Sequence, residues 1–363
     1  NISNYSQFVK SADFNIGKIT DAMRNAFAAT EVTIAEDKLA EMTKVIVAEI
    51  ENRFNEQIPS VEQIQDIVEM TIMNEGYHNV AKHYIVYRYE HTKIREEKKQ
   101  EVLEKIEEQE LNVTKRDGSV VAYDEAQIRI ALAKHIEGIK GIDGEVDTEK
   151  IISQLKFELY ENISTKEIQR ALIMVVRSMI ERDPAYSKLA CRLLLERMYG
   201  EVFGAYDERT IAAKHVEIFK RNIKDMVERE LLDERMLDYD LDALGAKLVI
   251  ENDTLFEYMG LEIMSSRYCM EDPETKKQME TPQMFWMRVA MGTSLNEAKE
   301  DRERVVLDFY DILSNFYYTP GGRTCFQAGA KKAQLSNCFL NTVPDSLDGI
   351  FKTFSDNAQY LKW

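Results

Sequence analysis

A chain of 363 residues, 44% hydrophobic and 31% charged, is long enough for two or three domains with cores of their own. Its formal charge of −17 argues against a general nucleic-acid surface, because phosphate backbones are gripped by excess Lys and Arg. No apolar run approaches the roughly 20 residues that cross a bilayer and no secretory signal opens the sequence, so neither membrane nor DNA is an expected partner.

The first hundred residues predict helices. Phe14-Asn15-Ile16-Gly17-Lys18-Ile19 opens an amphipathic helix, and Pro59-Ser60-Val61-Glu62-Gln63 opens another with Ser60 and Gln63 placed as a capping box. Ile64, Ile67, Val68 and Ile72 follow at helical spacing. The run from Arg95 to Glu110 is almost all charge, which predicts a solvated helix or linker and a boundary there. Next, Asp117-Gly118 stands between the β-prone runs Val113-Thr114-Lys115 and Val120-Val121-Ala122, a strong hairpin signal.

After the hairpin the first block's signals return. Tyr123-Asp124-Glu125-Ala126-Gln127-Ile128 matches the first helix start and Ser164-Thr165-Lys166-Glu167 the capping box, at a period of about 105 residues. Ile168, Ala171, Leu172, Val175 and Met179 then supply the apolar stripe. A duplicated small helical domain is the economical interpretation. From about Ala205 the repeat stops, and helices are expected over 208–230, 283–295 and 301–316. The segment from Glu280 to Ala290 reads as packing, its Met and aromatic content being core material. A last helix is expected from the Asp345-Ser346 cap through Leu347, Ile350, Phe351, Phe354, Ala358 and Leu361. The abrupt stop at Trp363 suggests a fragment or one half of a split protein.

Four cysteines (Cys191, Cys269, Cys325, Cys338) are too widely spread for a disulfide framework or a zinc ribbon, so a reducing cytoplasm is expected. The five histidines show no metal-ligand spacing with them, and no structural metal is expected. Gln334-Leu335-Ser336-Asn337-Cys338-Phe339-Leu340 sets one thiol on a short apolar run just before an acidic helix start, which suggests a thiol at a polyanion site.

These segments together resemble the large, catalytic subunit of ribonucleotide reductase. Val113-Thr114-Lys115-Arg116-Asp117-Gly118 is similar to the opening of its ATP-cone, a small nucleotide-binding domain. Arg can fork two phosphate oxygens there while Lys acts as a point charge. The resemblance assigns Val113, Lys115, Arg116, Val121, Asp124 and Thr165 to ATP or dATP, with Gln127 and Gln169 departing from the usual lysine and histidine. The first block resembles a second cone through Val80-Ala81-Lys82-His83-Tyr84, with Lys18 at a nucleotide-contacting position. Residues 8–14 leave no room for that cone's hairpin, so either this cone has lost ATP binding or the sequence there joins the ends of an omitted loop, and the second cone is the expected sensor.

In Arg323-Thr324-Cys325-Phe326-Gln327-Ala328-Gly329 the resemblance gives Thr324 and the amides near Gly329 to substrate phosphates, although two flanking residues depart from the family run. Ser336 and Asn337 would also contact substrate, Asn337 replacing the usual serine. Cys338 would be one of the redox pair that supplies two electrons as the ribose 2′-hydroxyl leaves. Asp345, Ser346 and Leu347 would hold a deoxynucleoside triphosphate that sets substrate specificity.

The fold so implied is mainly α over two cones (1–100, the hairpin incomplete, and 111–203), then the start of a ten-stranded α/β barrel (204–363), with Cys338 on a strand. The implied partners are a ribonucleotide, the C-terminal remainder of the subunit, further copies of the chain, and a thioredoxin- or glutaredoxin-type reductant. The radical source is left open between a metal-containing small subunit and adenosylcobalamin. The competing interpretations are a nucleotide-sensing regulator and a binding scaffold without catalysis.

Overall fold

The computed structural model describes residues 15–54, 59–108, 110–115, 117–142, 144, 146–204 and 210–362; within the long helix after Tyr77 it leaves the side chains of 90–92, 94–96 and 98 aside. Contacts divide the chain into two compact units, one reaching to Asp124 and including Ser153–Ile168, the other comprising Glu125–Ile152 and Gln169–Trp363.

The first unit begins with four helices: α1 (Ile16–Ala29), α2 (Glu36–Phe54), α3 (Val61–Asn74) and α4 (His78–Glu107). In α1 to α3 the apolar positions recur every three or four residues, so each turns one stripe inward, whereas α4 contributes to that core Val80, Ala81 and Tyr84 from its first turns. Ile19, Met23 and Phe27 of α1 meet Met42 and Ile46 of α2, Ile72 of α3 and Tyr84 of α4 in one core. Asn15 caps α1, accepting from Gly17 N at 2.9 Å. The predicted capping box at α3 is present: Ser60 Oγ accepts from Gln63 N, and Gln63 Oε1 accepts from Ser60 N. The charged run from Arg95 is the C-terminal half of α4.

Strands β1 (Asn112–Thr114) and β2 (Val120–Ala122) form the predicted antiparallel hairpin, with Val113 opposite Val121. After α5 (Glu125–Ile136) and α6 (Thr148–Lys156) comes β3 (Ile163–Ser164), which pairs with β1 in parallel, Thr114 opposite Ser164. The sheet order is β2-β1-β3. α7 (Thr165–Ser178) starts where β3 ends, and α8 (Ala185–Phe203) follows it.

The second unit continues with α9 (Ile211–Glu228), α10 (Leu241–Gly245), α11 (Tyr258–Ile263), α12 (Pro282–Thr293), α13 (Arg302–Ser314), α14 (Gly322–Gln327) and α15 (Leu347–Lys362). The core element is α12. Thr281 caps it, Pro282 opens it, and every residue from Pro282 to Gly292 is buried, as the packing interpretation of this segment expected. It packs against α13 and α14. No strand is formed among the described residues after β3, so the barrel start is not shown, and the strand expected at Cys338 is irregular backbone instead. A strand is stabilised by a neighbour that accepts and donates along its edge, and among the described residues no strand pairs with this segment.

Candidate functional site

The hairpin turn is built from its sequence. Gly118 takes φ +82°, a conformation that an L side chain strains to adopt. Its N–H donates to Lys115 O at 3.0 Å, and Lys115 N donates to Ser119 O at 2.8 Å. Asp117 accepts from both the amide and the hydroxyl of Ser119, which hold its carboxyl below the usual range. The exposed Lys115 ammonium adds to that effect. Because Thr114 and Ser164 are register partners in a parallel pair, the next residues, Lys115 and Thr165, leave the sheet side by side.

The β3 end is fixed by Asn112, whose Nδ2 donates to Glu161 Oε1 at 2.8 Å, while Asn162 N donates to Asn112 O at 2.9 Å. Glu167 closes a capping box on α7: Ser164 N donates to its Oε2 at 3.0 Å and its own N–H donates to Ser164 Oγ at 3.2 Å. Of the residues assigned to ATP, Lys115 and Asp124 are exposed, and Thr165 and Val121 are half-buried. Val113 is buried on the central strand, paired on one side with Val121 and on the other with Ile163, so its side chain serves the core. Lys18 is exposed in the first turn of α1 and belongs to the other helical block. Arg116 lies outside the described residues, as does the 8–14 segment.

In the second unit two chain segments are tied together around Thr324. Thr324 Oγ1 donates to Leu335 O at 3.1 Å, and Asn337 Oδ1 accepts from Arg323 N at 2.7 Å. A third tie runs from Gln334 N to Gln327 Oε1 at 2.7 Å. Asn337 sits so close to Gly321 that a Cβ there would lie 1.4 Å from its Nδ2. The structure thus ties the Thr324 helix to the segment that carries Asn337, while Ser336 and Cys338 on either side of Asn337 are exposed. Gly329 has φ +82°, and its amide lies against α12, 2.0 Å from where a Cβ on Gly292 would stand. Ser346 rather than Asp345 caps α15, accepting from Gly349 N at 3.1 Å, and Asp345 and Leu347 remain exposed.

The sequence interpretation missed the group that holds this turn. Arg288 is wholly buried and pairs with Glu280 through Nε to Oε1 at 2.5 Å and Nη2 to Oε2 at 3.2 Å. Its Nη1 also donates to Ala328 O at 2.8 Å, and its Nη2 to Tyr268 O at 3.2 Å. A lone charge within Met284-Phe285-Trp286-Met287-Arg288-Val289-Ala290-Met291 was the available signal, since buried Arg requires a partner. Also missed was a buried polar chain in which Tyr199 Oη donates to Asp253 Oδ2 and Gln283 Nε2 donates to Asp253 Oδ1 at 2.7 Å. Tyr310 Oη donates to Gln283 Oε1 at 2.6 Å and accepts from Val249 N at 2.8 Å. Burial pushes Asp253 up to about 7, against the lowering effect of its two donors. Burial likewise pulls His215 down to about 4, although its ring contacts Ile211 O and Thr281 Oγ1.

Among the described residues no group of three or more His, Cys, Asp or Glu is placed to hold a metal ion. No helix there is long and apolar enough to cross a membrane. An open groove of about 590 Å³, lined among others by Glu201, Arg221, Lys224, Asp272 and Gln278, includes none of the residues that the sequence singled out.

Residues 10–93 and again 111–200 match the ATP cone domain, and residues 254–333 match the all-alpha domain of ribonucleotide reductase. The chain is 35% identical over 366 residues to the ribonucleoside-diphosphate reductase subunit alpha of Chlamydia pneumoniae, covering 97% of this chain and 34% of that protein. It is 29% identical over 257 residues to the protein of the same name in Helicobacter pylori, covering 70% and 30%. It is 30% identical over 251 residues to the ribonucleoside-diphosphate reductase large subunit of Trypanosoma brucei brucei, covering 68% and 29%. The chain therefore spans about a third of the length of these curated relatives.

Proposed function

We propose, from the premise that this chain carries two ATP cone domains and the all-alpha domain of ribonucleotide reductase, that it is the allosteric and phosphate-holding part of a reductase catalytic subunit. The observation that supports this best is the match of 97% of the chain to a reductase α subunit, in the order cone, cone, all-alpha domain. The whole protein would reduce ribonucleoside diphosphates to deoxyribonucleotides.

In this proposal the second cone is the sensor. Lys115 and Arg116 would meet the polyphosphate of ATP or dATP, with Thr165 and Asp124 reaching its remaining polar groups. Side-by-side departure of Lys115 and Thr165 from the sheet supports this role, because it sets a cation beside a hydroxyl on a rigid frame. Thr324, Ser336 and Asn337 would hold substrate phosphates, whereas Gly329 is buried against α12 and the amides beside it are spent within the turn, so Gly329 shapes the turn and does not meet the ligand. Asp345, Ser346 and Leu347 would take a specificity effector, which the exposure of Asp345 permits.

Cys338 would deliver reducing equivalents. In ribose reduction the 2′-hydroxyl leaves as water while two thiols give up two electrons and two protons and join as a disulfide. The exposed Cys338 thiol suits exchange with a partner cysteine from the remainder of the subunit, and then with a thioredoxin- or glutaredoxin-type reductant. A metal-containing small subunit or adenosylcobalamin would supply the radical that starts the reaction.

Isothermal titration of this chain with ATP and dATP tests the sensor role; micromolar binding is expected, and no heat with either nucleotide refutes it. Light scattering with dATP should show a larger assembly than with ATP. Reduction assays on the subunit completed with its C-terminal part, with and without a small subunit or cobalamin, test the catalytic role. Nucleotide binding without any reduction under all those conditions would favour the scaffold interpretation.

A further inference from the structure

We propose that the buried chain Tyr199–Asp253–Gln283, continued along α12 to Arg288, conveys the nucleotide state of the second cone to the 322–330 turn. This rests on the cone being a nucleotide sensor and adds to it the route by which that sensor reaches the phosphate-holding turn.

The hydrogen-bonded links from Tyr199 to Ala328 lie within the second unit. Tyr199 lies on α8, inside the residues that match the ATP cone domain, whereas Asp253, Gln283 and Arg288 lie beyond them. Chain continuity joins the sensor to this helix: α7 begins at Thr165, and the turn after it, where Asp183 Oδ1 accepts from Ala185 N at 2.8 Å, leads into α8. Asp253 takes one hydrogen bond from Tyr199 Oη and one from Gln283 Nε2. Gln283 cannot turn over to follow a displaced partner, because its Oε1 is already bound by Tyr310 Oη. A movement at Asp253 is therefore passed to the first turn of α12.

α12 then acts as a rod, since every residue from Pro282 to Gly292 is buried. Close-packed helices shift as bodies and do not deform smoothly. On the same helix Arg288 grips Ala328 O, and Gly292 is in direct backbone contact with Gly329. The turn assigned to substrate phosphates is thus held at two points by the element that Gln283 anchors.

The Tyr199–Asp253 bond gives the route two discrete states. With both donors in place the buried carboxylate is satisfied as an anion. Withdrawal of Tyr199 leaves it with Gln283 alone, and an anion so poorly solvated takes up a proton or releases its partner. Burial has already brought the two protonation states of Asp253 close in energy near neutral pH, and Glu251 on the same turn adds to that effect.

The test uses the whole chain with dATP, its binding followed by calorimetry and its backbone exchange by mass spectrometry. In the unaltered chain dATP should change exchange in peptides covering 322–330 by at least about twofold. Tyr199→Phe keeps the ring and removes the donor, and should bind dATP within about twofold of the unaltered chain while losing that distant change. A measurement on the unaltered chain accompanies it: the ¹³C carboxyl resonance of Asp253 should move when dATP binds. Binding that leaves both 322–330 and Asp253 unchanged, or a Tyr199→Phe chain that still transmits, overturns the inference while the sensor reading stands. Absence of dATP binding would remove the sensor reading and the inference with it.

Discussion

His215 and Asp253 are both buried, and their burial drives the pH dependence of stability in opposite directions. His215 titrates near 4 in the fold against 6.5 when unfolded, so between those values the unfolded chain binds more protons and acid weakens the fold. Asp253 titrates near 7 against 3.8, so there the folded chain binds more protons and acid strengthens it. Each slope is at most about 1.4 kcal/mol per pH unit, and from pH 6.5 to 4 they oppose. Asp253→Asn should expose the His215 slope, so that urea unfolding at pH 5 and 6.5 shows a steeper acid loss than in the unaltered chain. Equal slopes would mean that these groups do not titrate as assigned. Arg288 presents a different case, since it is a paired charge with nowhere to be solvated. Arg288→Met leaves Glu280 buried without its cation, and a loss of about 3–5 kcal/mol is expected in denaturant unfolding. Adding Glu280→Leu should recover only part of it, because the carbonyls of Ala328 and Tyr268 still lose their donor.

At the scale of elements, what the sequence made legible was whatever repeats or caps. Ser60 with Gln63, and Ser164 with Glu167, marked helix starts that the hydrogen bonds reproduce. Asp117-Gly118 marked the hairpin, because few residues tolerate the φ that Gly118 adopts. β3 was not legible: two residues, Ile163 and Ser164, carry no alternation, and only pairing with β1 makes them a strand. The segment around Cys338 shows the converse, β-prone residues that no neighbour turns into a strand. The ties of Asn337 to Arg323 and of Thr324 to Leu335 were also hidden, since each joins residues more than ten positions apart through side-chain geometry. The hairpin carries a prediction that separates the two cones. Lys115→Ala should weaken ATP binding about tenfold, the scale of one charge-assisted hydrogen bond, whereas Lys18→Ala should leave it unchanged in a calorimetric titration. The opposite ranking would move the sensor to the first block.

Over the whole molecule, the charge of −17 sets a problem that no single residue reveals, because the proposed ligands are themselves polyanions. Long-range repulsion acts on a nucleotide before it arrives, and salt screens it over a Debye length of about 10 Å at 0.1 M. The attraction of Lys115 acts only at contact, where screening is weaker. Added salt should therefore raise the association rate constant of ATP, the reverse of the behaviour of a protein that steers its ligand by opposite charge. Dissociation should quicken as well, since the contact loses some of its Coulomb energy. Stopped-flow binding from about 20 to 200 mM salt separates the two rates. An association rate that falls steeply over that range would mean that a local basic surface, and not the net charge, governs approach. In that case Lys115→Ala should abolish the fall, which places the steering field on the hairpin itself.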